Sequence, residues 1–339
     1  MSANQPEADR IVPLSPLKPI SRIAIIGTGV IGASWAALYL AKGLDVVATD
    51  IAPNAEGSLK RFVDAAWPAL ERLGLAPGAS RSRLSFTADM EAAVSGADLV
   101  QENGPERIDF KQKLYGQLDD LLPADVIIAS SSSGLTMSEI QSGCHSHPER
   151  CVIGHPFNPP HLVPLVEIVG GARTSEQTIQ RVTAFYQAIG RRTVRVRKEM
   201  PGHVANRLQA ALSREVYYLV AEGVVSAADA DIALCWGPGL RWGLMGNMLL
   251  NHLGGGEGGI AHFLEQFTRP LTAWWKTLGN PVLTPDVQKK LIDSVHAEVG
   301  ARSIDTLAAE RDEMLIGLLE LRTRTEKAFQ RDASDTSIG

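Results

Sequence analysis

The chain reads as an α/β protein, a Rossmann-like doubly wound parallel sheet followed by an all-helical C-terminal domain. Between residues 23 and 196, short apolar and β-branched runs alternate with helical stretches, the pattern of a parallel sheet wrapped by crossover helices. From Val204 onward the strands stop, and Leu208, Leu212, Val216 and Leu219 mark one helical face. A length of 339 residues accommodates two such domains.

The first strand is Ile23 to Ile26, and Gly27-x-Gly29-x-x-Gly32 follows it without a gap. Gly27 permits the tight strand-to-helix turn, Gly29 lets the backbone approach a pyrophosphate, and Gly32 lets helix and strand pack closely. Val30 and Ile31 lie in the first turn of the helix that follows, whose free N–H groups face the phosphates. That helix runs to Ala41 with a small apolar side for the sheet. Asp50 closes the second strand, Val46 to Thr49, about 20 residues beyond the glycines, where a carboxylate accepts hydrogen bonds from ribose hydroxyls and repels a ribose phosphate. The glycine spacing therefore predicts a nicotinamide or flavin dinucleotide, and the carboxylate predicts NAD as cofactor in preference to NADP.

A helix from Gly57 to Leu73 follows, then a turn at Leu75 to Gly78, a strand at Leu84 to Phe86 and a short helix at Met90 to Val94. Asp98 to Glu102, a helix from Phe110 to Leu121 and the apolar run Val126 to Ala129 continue the alternation. Cys151 to Gly154, Leu165 to Val169 and Thr193 to Val196 complete the strands, and Leu307 to Phe329 forms the last helix. The resulting plan is a loose, proline-bearing arm over 1–20, a dinucleotide-binding domain over 21–199, a helical domain over 200–330 for substrate and dimerisation, and a disordered tail over 331–339.

A net charge of −5 leaves no electrostatic footprint for nucleic acid. No apolar stretch reaches membrane-spanning length, and the polar N-terminus lacks the regions of a signal peptide, so a cytoplasmic enzyme with no membrane partner is expected. Cys144, Cys151 and Cys235 are too few and too irregularly spaced for a disulfide framework or a zinc site, and read as packing residues. No histidine spacing suggests a metal.

Chemistry concentrates in Ser130 to Leu135 (SSSSGL) and Gly154 to Gly171 (GHPFNPPHLVPLVEIVGG), which deliver polar groups near the carboxyl edge of the sheet, where open α/β sheets bind ligands. His155 ends one strand. Glu167 lies in an otherwise apolar one, where an unpaired carboxylate is costly, so His155 is its expected partner. Such a pair suits alcohol oxidation: the imidazole takes the hydroxyl proton, and the carboxylate fixes the tautomer and stabilises the imidazolium. His145, His147, His161, His203, His252, His262 and His296 read as surface or packing residues.

These residues resemble the L-3-hydroxyacyl-CoA dehydrogenase superfamily from Arg22 to about Phe329. The resemblance implies a His155–Glu167 dyad, with Ser133 and Asn206 (in PGHVANRL) hydrogen-bonding the reacting oxygen. It also implies Glu106 and Lys111 near the nicotinamide ribose, and Asn158 shaping the nicotinamide pocket. Gly237 to Gly246 (GPGLRWGLMG) and Gly254 to Phe263 (GGGEGGIAHF) are similar to the branch acting on free 3-hydroxy acids, the L-carnitine and L-gulonate 3-dehydrogenases, and most similar to the carnitine enzymes. In that reading Arg241 binds a substrate carboxylate through two hydrogen bonds, and Trp242 offers an aromatic face to a quaternary ammonium. Oxidation of another 3-hydroxy acid, of a short 3-hydroxyacyl-CoA, or a catalytically silent NAD-binding protein remain alternatives.

Overall fold

The computed structural model describes residues 18–335. The arm expected over 1–20 lies outside the described residues except for its last three. The expected tail likewise lies outside them from residue 336.

The chain divides into two compact units, one ending at Val204 and the other beginning at Ala205. In the first, β1 (Arg22–Ile26) leads through α1 (Val30–Ala41) to β2 (Asp45–Thr49), and α2 (Ala55–Leu73) to β3 (Leu84–Phe86). Then come α3 (Met90–Val94), β4 (Leu99–Glu102), α4 (Ile108–Leu121), β5 (Ile127–Ser130) and α5 (Met137–Ile140). β6 (Cys151–Pro156), β7 (Leu165–Gly170), α6 (Glu176–Ala188) and β8 (Arg192–Val196) finish the unit. The sheet order is β3-β2-β1-β4-β5-β6-β7-β8, so the chain reverses direction across the sheet between β1 and β4 and opens a crevice at their carboxyl ends.

The sheet departs from the expected all-parallel arrangement at one pair. β6 and β7 are antiparallel, while β8 returns parallel to β7. Only eight residues join β6 to β7, too few for the crossover that a parallel pair needs. The start of β7 therefore sits beside the end of β6, and the register sets His155 directly opposite Glu167.

α1 is buried on every side and not only on its sheet face: each residue from Gly32 to Ala41 is buried. A helix apolar all round requires such a position. Its Trp35 and Tyr39 rings stack at 5.2 Å, and Tyr186 of α6 packs 5.5 Å from Trp35. Beneath them Gln101 accepts hydrogen bonds from Tyr39 (2.9 Å) and Tyr186 (2.6 Å) and donates to Ser131 (3.0 Å), so the polar atoms in this layer are paired. Leu38 and Leu40, fully buried here, each contribute about 1.5–3 kcal/mol. The opposite sheet face is covered by Val94, Leu114, Tyr115, Leu118 and Ile140 from α3, α4 and α5. Cys144 and Cys151 are buried there, whereas Cys235 is exposed and is not the packing residue expected.

The second unit is helical: α7 (Ala205–Ala221), α8 (Ala227–Trp236), α9 (Pro238–Trp242), α10 (Asn247–Gly254), α11 (Gly259–Trp275), α12 (Pro285–Val299) and α13 (Ile304–Asp335). No described helix is long and apolar enough to cross a membrane.

Candidate active site

The glycine turn follows β1. Gly27 has φ +84°, and a Cβ there would lie 2.8 Å from the Asn103 carbonyl oxygen. A Cβ on Gly32 would lie 1.9 Å from the Gly27 carbonyl oxygen. Gly29, by contrast, faces open space, with nothing within 4 Å of a built Cβ, and as N-cap it offers the first turn of α1 no side-chain acceptor. The N–H groups of that turn are left for an outside acceptor. Val30 is 60% exposed beside them, and Ile31 is half-buried.

Asp50 lies at the carboxyl end of β2. Its Oδ2 accepts from the Thr28 N–H (2.6 Å) and hydroxyl (2.9 Å), and its Oδ1 from the Ala52 N–H (2.9 Å). Burial pushes the carboxyl up, but these hydrogen bonds outweigh it and hold Asp50 below its ordinary range. An ionised carboxylate thus stands beside the glycine turn, as a dinucleotide ribose requires. The residues present fit NAD.

Glu106 anchors the serine loop that follows β5. Its Oε1 accepts from the Ser132 hydroxyl (2.7 Å) and from the N–H groups of Ser133 (3.0 Å), Gly134 (2.7 Å) and Leu135 (3.2 Å). Burial raises its pKa, but the Ser132 hydroxyl, the Gly134 N–H and Lys111 together hold it below the usual carboxylate range. Lys111 is buried, with Nζ 2.8 and 2.9 Å from the two oxygens of Glu102 and 3.9 Å from Glu106. Glu102, fully buried, also accepts from the Ser130 hydroxyl at 2.6 Å. Sequence reasoning missed Glu102; the signal available was its position at the end of an apolar strand, nine residues before Lys111.

His155 Nδ1 is 2.8 Å from Glu167 Oε2, both side chains buried. A carboxylate only accepts, so Nδ1 carries the hydrogen, and in the neutral ring Nε2 presents the lone pair of a base. Glu167 Oε1 accepts from the Val204 N–H at 2.9 Å. His203, read from the sequence as packing, is buried with its ring centroid 5.2 Å from that of His155. Asn158 is exposed in the loop after β6. Asn206 belongs to the second unit, in the first turn of α7, and Arg241 and Trp242 end α9 of that unit, both exposed.

Two families match the chain: the NAD-binding domain of 3-hydroxyacyl-CoA dehydrogenase over residues 22–200 and its C-terminal domain over 202–295. An L-carnitine dehydrogenase of Streptomyces griseus is 45% identical over 323 residues, covering 95% of this chain and 96% of that protein. One from Pseudomonas putida is 48% identical over 301 residues, covering 89% of this chain and 94% of its own. Among solved structures, 5-formyl-3-hydroxy-2-methylpyridine 4-carboxylic acid 5-dehydrogenase, an NAD+-dependent dismutase, superposes with TM-score 0.77 at 34% identity, covering 90% of this chain and 99% of that one. The 3-hydroxybutyryl-CoA dehydrogenase of Escherichia coli superposes with TM-score 0.59 at 26% identity, covering 74% of this chain and 53% of that one.

Proposed function

The chain belongs to the 3-hydroxyacyl-CoA dehydrogenase family, and from that premise we propose that it oxidises the 3-hydroxyl of L-carnitine, or of a closely similar small L-3-hydroxy acid, to the ketone. It is an NAD-dependent oxidoreductase acting on CH–OH groups. The observation that carries the reading is the cross-strand His155–Glu167 pair, 2.8 Å apart and buried in the unit that holds the dinucleotide turn.

NAD, when bound, supplies the two-electron acceptor. The proposed cradle is Gly27, Gly29, Val30, Ile31 and Gly32 at the pyrophosphate, Asp50 at the adenosine ribose, and Glu106, Lys111, Ser133 and Asn158 on the nicotinamide side. Lys111 is spent on Glu102, so its proposed contribution is to hold that carboxylate and the adjoining backbone. His155 takes the hydroxyl proton at Nε2, and Glu167 stabilises the imidazolium through Nδ1–H. The Ser133 hydroxyl and the Asn206 amide are the proposed hydrogen-bonding groups for the reacting oxygen. Arg241 is assigned to the substrate carboxylate, as a bidentate donor. Trp242 is assigned to the ammonium head, through its ring face.

The proposed assembly is a homodimer, and the proposed location the cytoplasm, where a diffusible NAD pool is held. The substrate is tested by initial rates of NADH formation with L-carnitine beside D-carnitine, L-gulonate and L-3-hydroxybutyrate. A stereospecific rate highest with L-carnitine is expected; equal or negligible rates would remove carnitine as substrate. His155→Asn should lower kcat by about 10²–10⁴-fold while leaving NADH binding intact, and parental turnover would remove His155 as the base.

A further inference from the structure

We infer that His203 is a positioning residue for the reaction, a neutral imidazole that ties the Ser132–Leu135 loop to the His155–Glu167 pair. The inference rests on the dehydrogenase reading above. His203 is 2% exposed, and its Nε2 lies 3.1 Å from the Ser132 carbonyl oxygen, the residue before Ser133. A carbonyl only accepts, so Nε2 carries the hydrogen. Its backbone sits in the left-handed region at φ +48°, in a turn whose next residue, Val204, donates to Glu167. One residue thus links the serine loop, the catalytic ring and the turn that orients the carboxylate.

The other nitrogen, Nδ1, is buried with no hydrogen-bond partner among the described residues. In the neutral ring it is a bare lone pair. Protonation would convert it to an unpaired N–H and put a positive charge beside His155. The titratable groups facing the ring are His155 from β6, Glu167 from β7 and Glu106 from the loop after β4. Burial is the leading cause that lowers the pKa of His203 from 6.5, and His155 adds to it; the Ser132 carbonyl, Glu167 and Glu106 oppose and are outweighed. Burial thus favours the neutral His203 ring beside His155.

This has a direction-specific consequence. In reduction of the 3-keto acid, His155 is the proton donor, and protonation of His203 would set a second cation beside it. The two cations would then repel at 5.2 Å. The wild-type reductive rate should accordingly fall as pH drops below the ordinary histidine range.

The test compares His203→Phe, which keeps a ring and loses the donor, with His203→Gln, which keeps a donor and cannot titrate. H203F should lose about tenfold in kcat, the equivalent of one hydrogen bond, with the NADH Kd unchanged. H203Q should recover most of that loss, and its reductive rate should level off at acid pH where the wild type falls. Parental kcat in H203F, or a wild-type acid limb in H203Q, would overturn the inference. Should H203F fail to fold, H203Q and a readout without turnover decide: NMR titration of the wild-type histidine rings. A His203 midpoint below 6.5 in the Nε2–H tautomer supports the inference; a midpoint at or above it, or the Nδ1–H tautomer, overturns it. Absence of turnover with every 3-hydroxy acid beside the expected NMR result would count against the proposed reaction alone.

Discussion

A methyl group on Gly32 would meet the Gly27 carbonyl oxygen at 1.9 Å, and that carbonyl belongs to the backbone of the cofactor turn. Nothing flexible can yield, so Gly32→Ala should destabilise the protein by about 1–3 kcal/mol and weaken NADH binding. Gly29→Ala is the informative control, because a Cβ there meets nothing within 4 Å. It should melt within about 0.5 kcal/mol of the parent yet bind NADH more weakly, since the open face is where a pyrophosphate must approach. Thermal melts beside NADH fluorescence titrations separate the two effects; parental NADH affinity in Gly29→Ala would refute the assigned approach. Glu102 poses the opposite problem, that of a buried charge. Glu102→Gln would leave the Lys111 ammonium buried without its main partner and should cost about 3–5 kcal/mol in urea unfolding. A loss under 1 kcal/mol would mean that Glu106, 3.9 Å from Nζ, suffices.

The serine loop between β5 and α5 has little core of its own at Ser133 and Gly134, and one carboxylate oxygen of Glu106 gathers three of its N–H groups. Glu106→Ala should release the loop and lower kcat about tenfold or more, with kinetic assays as the check and an unchanged kcat as the refuting result. The sign of its pH dependence follows from its depressed pKa. Glu106 anchoring is complete above the ordinary value of 4.5 and is lost as pH falls through the lower folded value. Amide NMR signals of Ser133, Gly134 and Leu135 should shift together in that acid window. These elements also mark what could be read beforehand. Most strands were legible because they are short apolar runs between turn residues, and the cofactor turn because three glycines and Asp50 recur at a spacing with a mechanical reason. The antiparallel β6–β7 pair was not, since both strands look alike whichever way they run; only the short link between them carried the information. Glu102 and His203 escaped because periodicity along a single element does not reveal their partners, Lys111 and Ser130 for the one and Ser132 for the other.

The two units differ in how far they enclose their own apolar surface. The first buries large side chains on both faces of its sheet, whereas among the described residues of the second only Val220, Ala221, Ala227, Ala230 and Ile316 are buried hydrophobics. Leu208, the first residue of the apolar face read on α7, is 68% exposed, Trp236 is 76% exposed and Met314 is 77% exposed. Exposed apolar side chains of this kind are what an association face presents, and they support the homodimer proposed above. Sedimentation equilibrium should accordingly give about twice the 36.5 kDa of the chain. Trp236→Asp and Met314→Asp distinguish a true interface from tolerated exposure. On a free surface each would change stability by less than about 0.5 kcal/mol and leave the mass unaltered, whereas at a dimer interface an aromatic or methionine anchor replaced by a charge should cost more than about 1 kcal/mol of association. The double variant should therefore sediment as a folded monomer at concentrations where the parent is dimeric. A parent that stays monomeric throughout the micromolar range would remove the dimer and leave these side chains to solvent.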